Sequence, residues 1–121
     1  MFKKEININF DNNIPIYIQL VEYLKSSIVS GELTSGERLP SVRDLSIRFA
    51  VNPNTMQKAL AELENNQLIY TERTNGKFIT KDEKILKAFK KTHADEITKN
   101  YLITMKELGF SKEEINKLIG G

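Results

Sequence analysis

A chain of 121 residues has room for one compact domain of ordinary size, or a smaller one with an appendage, and not for two large ones. Its 40% apolar and 28% charged residues suit a folded, well-solvated protein, and its formal net charge of +2 is too small to establish a nucleic-acid partner by itself. With no cysteine and one histidine, disulfides, thiolate metal sites and cysteine nucleophiles are excluded, and neither a metal nor another cofactor is expected.

The N-terminal stretch MFKKEININF lacks the apolar run of a signal peptide, and no segment approaches the ~20 apolar residues of a membrane span. A cytoplasmic protein without a membrane partner is the expectation. Ile6, Ile8 and Phe10 alternate with Asn7 and Asn9, a period-two pattern that predicts a short strand or an extended arm lying on something apolar. From Pro15, the residues Tyr17, Leu20, Val21, Leu24 and Ile28 recur at helical spacing until Gly31, which predicts an amphipathic helix of about four turns. Glu32 to Pro40 reads as a connector. Ser41 then caps a short helix with Asp44 three residues on, an imperfect capping box because Asp is shorter than Glu, and Val42, Leu45 and Phe49 form its buried side up to about Ala50.

Asn52-Pro53 opens a third helix, since the Asn side chain satisfies an orphan N–H and the proline sits where none is needed. Met56, Ala59, Leu60 and Leu63 fall on one face, and Asn54, Thr55, Gln57, Lys58 and Ala61 on the other. After Asn65-Asn66, two strand-like runs, Leu68 to Arg73 and Lys77 to Thr80, flank Thr74-Asn75-Gly76, and the Asn-Gly pair predicts a hairpin with a type I′ turn. Leu86, Phe89, His93, Ile97, Tyr101, Met105 and Leu108 then step by three or four, which predicts one long helix stopped at Gly109. Ser111 with Glu114 forms a full capping box, Phe110 and Ile115 are placed as a hydrophobic staple, and a last helix carries Ile115, Leu118 and Ile119 to Gly120-Gly121.

Helix, connector, short helix, tight turn, helix and hairpin is the order of a winged helix-turn-helix, whose third helix enters the major groove. The fold class is therefore mainly α with a small β-hairpin wing, divided into a DNA-binding domain over residues 1–80 and a two-helix dimerisation tail over 81–121. Base edges are read by paired donors and acceptors, and phosphates need cations or N–H groups. Asn54, Thr55, Gln57 and Lys58 offer these on the third helix, Lys58 as a phosphate contact, while Arg73, Asn75 and Lys77 give the wing a polar tip. From Ser41 to Ala61 the charged residues are Arg43, Asp44, Arg48 and Lys58, so that stretch is poor in carboxylates. A polar face turned to water is the bland alternative for these side chains.

The run GERLPSVRDLSIRFAVNPNTMQKALAELENNQLIYTERTNGKFI, Gly36 to Ile79, closely resembles the DNA-binding domain of GntR-family bacterial transcription regulators, and PIYIQLVEYLKSSIVSGEL before it resembles the family's first helix. The resemblance implies DNA contacts from the Arg of the LPSxR stretch, from residues opening the recognition helix and from the wing glycine, which match Arg43, Asn54, Thr55, Gln57 and Gly76 here. The chain departs from the pattern at three places. Pro53 stands where many members carry Arg just before the recognition helix, Gln57 where they carry Arg inside it, and Thr74 replaces the first wing glycine, so an operator sequence does not carry over. The NPNT stretch and the short tail resemble the YtrA-type branch, in which a two-helix C-terminal region serves dimerisation and which is associated with transporter operons.

In the tail, Leu86, Phe89, Ile97, Tyr101, Met105, Leu108, Ile115 and Leu118 would face water unless a second copy covers them, so a homodimer is expected. His93 on the same stripe reads as a partly buried packing residue. The tail is too small to enclose a metabolite alone, which leaves a small-molecule effector only sites between subunits or between tail and winged helix. Catalysis is not expected: there is no nucleophile elbow, phosphate-cradling glycine loop or HExxH spacing, and Glu62 and Glu64 lie two apart on a helix and cannot converge on one atom. The reading is thus a sequence-specific regulator, a repressor, bound to an inverted-repeat operator in double-stranded DNA. The competing one is a protein- or RNA-binding winged helix without DNA specificity.

Overall fold

The computed structural model describes residues 6 and 8–120, in which helices α1 (Ile16–Val29), α2 (Val42–Phe49) and α3 (Pro53–Asn65) precede the hairpin β1 (Ile69–Glu72) and β2 (Gly76–Ile79), followed by α4 (Glu83–Glu107) and α5 (Lys112–Leu118). The chain forms two compact units, Met1–Ala88 and Phe89–Gly121. The division falls inside α4, whose first turns belong to the first unit, eight residues beyond the boundary expected after residue 80.

The first unit is built on α3. Its apolar face, Met56, Ala59, Leu60 and Leu63, is fully buried and packs against α1, α2 and β1. The core is completed by Leu20, Val21, Leu24 and Ile28 from α1, Leu45 and Phe49 from α2, and Leu68, Ile69 and Ile79 around the hairpin. Each such side chain contributes about 1.5–3 kcal/mol of transfer free energy, which fixes the orientation of α3 by its buried side. Tyr23 meets Phe49 edge-on at 5.5 Å between ring centroids, tying α1 to α2.

Local chemistry sets the ends of these helices. Ser41 Oγ accepts the Asp44 N–H at 3.1 Å without the reciprocal bond of a full capping box, in line with the short Asp side chain. Asn52 Oδ1 accepts the Asn54 N–H at 2.8 Å, with Pro53 in the first turn. Pro15 gives α1 no side-chain cap. Instead the Gln19 amide donates to the carbonyls of Asp11 (2.8 Å) and Ile14 (2.9 Å) and accepts the Asp11 N–H (2.8 Å), fastening the incoming chain to the helix. Two turns close without glycine: Ala50 (φ 55°) after α2 and Gln67 (φ 65°) after α3 both adopt the left-handed conformation. In both, paired bonds bridge the helix end, Val51 N–H to Ser46 and Ala50 N–H to Ile47 in one, Leu68 N–H to Leu63 and Gln67 N–H to Glu64 in the other.

Three expectations change. Residues 6 and 8–10 form no strand, and Asn7 lies outside the described residues; Ile8 and Phe10 are half-buried and Asn9 is exposed, so the alternation marks an arm with one covered side and not a paired strand. The segment 36–39, expected to be plain connector, instead lies antiparallel along β2: Leu39 N–H donates to Lys77 (2.8 Å), Ile79 N–H to Glu37 (2.8 Å) and Gly36 N–H to Ile79 (3.0 Å), with Arg38 bridged to Phe78. The wing turn is not a two-residue type I′ loop. Glu72 pairs with Gly76, leaving Arg73, Thr74 and Asn75 as the loop; Asn75 N–H donates to the Glu72 carbonyl, and Gly76 alone takes the positive φ, +100°.

In the second unit α4 ends as its glycine predicts, with Gly109 at φ +95°, its N–H donated to Lys106 and that of Phe110 to Met105. Ser111 and Glu114 form the full capping box of α5. Gly120 adopts φ +78°, and Gly121 lies outside the described residues.

Candidate nucleic-acid interface

Burial of one side of α3 leaves Asn54, Gln57, Lys58 and Ala61 exposed and Thr55 half-buried. The first turn of the helix contains no acidic residue, so nothing there offsets the partial positive charge of its N-terminus. Asn54 and Gln57 make no side-chain bond to another described residue, which leaves their amides available as paired donors and acceptors. Lys58 is held: its Nζ sits 3.9 Å from the centroid of the Tyr17 ring on α1, an arrangement that steadies the ammonium. Arg43 on α2 is exposed and makes no ion pair with a described residue.

The wing divides into free and engaged groups. Arg73 is exposed at the loop, and Asn75 Nδ2 donates to Glu72 Oε2 at 3.1 Å within it. Lys77, expected as part of the polar tip, is half-buried and turned back toward α3: its Nζ donates to Glu64 Oε1 (3.1 Å) and to Thr71 Oγ1 (2.9 Å), while the Thr71 hydroxyl donates to the same Glu64 oxygen (2.9 Å). The closed ring of three bonds locks the wing to the far end of α3. It holds the Glu64 carboxyl below its ordinary value, through the Thr71 hydrogen bond first and that of Lys77 next, against a smaller opposing effect of burial. Lys77 therefore supplies attachment, its charge being matched by Glu64. Tyr70 stacks on Phe78 across the strands, 5.5 Å between centroids and 19° between planes.

Two cations of this unit escaped the sequence reading. Arg38, in the segment taken for connector, has its guanidinium against the wing turn: a Cβ on Gly76 would lie 3.4 Å from its Nε and 3.6 Å from Nη2. Arg48 at the end of α2 was visible in the charge distribution, but nothing in its spacing gave it a role. Both are exposed and pair with no described residue.

In the tail, α4 has no buried residue along its 25 positions. Ile97 (56%), Tyr101 (38%), Leu108 (68%) and Leu118 (60%) are exposed, as are Ile103 and Ile119, while Leu86, Phe89, His93 and Met105 are half-covered. Ile115 departs from its expected place on a dimer surface. It is 1% exposed within the single chain, at the position following the capping box, so it offers almost no surface to a partner. Among the described residues no helix is long and apolar enough to cross a membrane.

Comparison with known proteins agrees with this architecture. The family described as "Bacterial regulatory proteins, gntR family" matches residues 16–79, from the start of α1 to the end of β2. Among curated relatives, the HTH-type regulator YhcF of Bacillus subtilis is 37% identical, covering 88% of this chain and 88% of its own. The HTH-type transcriptional repressor YtrA of the same organism is 34% identical over 94% of this chain and 88% of its own. Among solved structures, a GntR family transcriptional regulator from Listeria monocytogenes superposes with a TM-score of 0.86 at 40% identity, covering 91% of this chain and 96% of that one. The DNA-binding domain of AraR, solved in complex with an operator, superposes with a TM-score of 0.53 at 26% identity over 65% of this chain and 93% of that one. Both curated relatives are named as regulators of transcription. With its winged helix matched from end to end and its tail included in the alignments, this chain belongs to the GntR family of bacterial regulatory proteins, in the branch of the YtrA-type regulators.

Proposed function

We propose that the protein is a cytoplasmic, sequence-specific DNA-binding repressor that acts as a homodimer on an inverted-repeat operator. The observation that carries this reading is the outer face of α3, where Asn54 and Gln57 stand exposed and unbonded beyond a capped helix N-terminus free of carboxylates. The AraR domain bound to its operator supports the same use of the fold, and the name of the YtrA repressor supports the sign of regulation. The exposed apolar stripe of α4 and α5 supports pairing with a second copy, for which Ile97, Tyr101, Leu108 and Leu118 are the principal residues. In this scheme the two α3 helices enter successive major grooves about 34 Å apart, Arg43 meets a phosphate and the wing lies in the flanking groove. A small-molecule effector enters as a ligand that alters the spacing of the two reading helices, and so operator affinity.

Titration of a duplex spanning the upstream region of its own gene, against random competitor duplex at two salt concentrations, tests this. Binding that survives competitor, with two subunits per duplex, is expected. Equal affinity for any nucleic acid favours a winged-helix RNA- or protein-binding module and overturns the proposal.

A further inference from the structure

A groove of about 580 Å³ opens at the start of α2, lined by Arg38 and Pro40 of the segment that precedes it, by Ser41, and by Asp44, Ile47 and Arg48 of α2. Arg38 and Arg48 make no ion pair or hydrogen bond with a described residue. Asp44 lies four residues before Arg48 on the same helix, yet the two side chains are not paired, and the Asp44 carboxylate bonds to no described residue. An exposed pair of that spacing is weak beside a charge-assisted bond to a phosphate, so it does not compete for the guanidinium. The groove thus carries two cations against one carboxylate. Ile47, 67% exposed, adds an apolar surface of the kind that suits the deoxyribose between phosphates.

The position of the groove is the second observation. The Arg38 backbone is bridged to Phe78 of β2, and its guanidinium lies beside Gly76, so the lining continues without interruption from the wing turn to α2. The recognition helix, for its part, has Pro53 and Gln57 where many family members have arginines. Beside Lys58 of α3, two further cations stand on the segment alongside β2 and on α2.

We propose that this groove is a phosphodiester site, in which Arg38 and Arg48 hold backbone phosphates of the operator strand that passes between the wing and α2. The proposal deepens the DNA-binding reading above and rests on it. Phosphate contacts carry no sequence information, so the groove sets affinity and register and leaves base choice to α3.

The test is a fluorescence anisotropy titration of the full-length chain with the upstream duplex and with a random duplex, over about 50 to 200 mM salt. Arg38→Gln and Arg48→Gln are each expected to weaken binding to both duplexes alike and to lower the slope of log K against log salt by about 0.9 per bound subunit. Arg38→Lys and Arg48→Lys are expected to keep the slope. Urea denaturation of each variant shows that it is folded; both side chains are exposed, so stability is expected to stay within about 0.5 kcal/mol. An unchanged slope in both glutamine variants, with or without a fall in affinity, overturns the groove assignment while the unsubstituted protein still binds. Failure of the unsubstituted protein to bind either duplex overturns the DNA reading and this inference together.

Discussion

Gly76 is the residue at which the wing is most constrained. At φ +100° an L side chain is strained, and the space a Cβ would take is already bordered by the Arg38 guanidinium at 3.4 Å. Gly76→Ala is expected to cost about 1–2 kcal/mol, measured by urea denaturation, and to displace Arg38. The opposite sign is expected at Gln67, which closes α3 at φ 65° where glycine is the usual residue. Gln67→Gly should relieve more strain than the added backbone freedom costs, a net gain of about 0.5–1 kcal/mol by the same measurement. Glu64 makes the wing lock sensitive to acid. Its folded-state pKa lies below the ordinary 4.5, so the stability it contributes is complete above that value and is lost as pH falls through the folded-state value. The stability difference between the unsubstituted protein and Glu64→Gln is expected to be largest near neutral pH and to shrink below about pH 4.5; a difference that stays constant with pH would exclude Glu64 as the acid-sensitive group.

Among the elements, those stabilised by neighbours in sequence were the legible ones. Ser41, Asn52 and Ser111 each announced a helix start because a cap involves residues two or three apart, and the apolar spacing of α1 and α3 reports their buried faces directly. What escaped depends on distant partners. The extended segment at 36–39 has no alternation of its own and lies along β2 because that strand offers an edge about forty residues on. Ala50 and Gln67 gave no glycine signal for the turns they make, which are imposed by packing of the helices on either side. The Asn-Gly pair located the hairpin, but the register places only its glycine in the left-handed region. At the site, Asn54 and Gln57 were identified by the burial of the opposite face. The engagement of Lys77 with Glu64, and the approach of Arg38 to Gly76, are tertiary and had no pattern to betray them. The apolar stripe of α4 was legible, although Ile115 is buried within the single chain.

At the scale of the whole molecule, two reading heads act together only if the tails pair. A 25-residue helix with no buried position is rarely stable as a solvated rod, and a second copy would cover Ile97, Tyr101 and Leu108. Ile97→Asp with Tyr101→Asp is expected to halve the mass in sedimentation velocity and to weaken operator binding at least about tenfold through lost avidity. An unchanged dimer mass would place the interface elsewhere. The central claim, that the outward face of α3 reads bases, is tested most directly by comparing Asn54→Ala/Gln57→Ala with the unsubstituted protein on operator and random duplex at one salt concentration. The account predicts a loss of about 1–3 kcal/mol per half-site on the operator and none on the random duplex. Equal losses on both, or no loss on either, would contradict it.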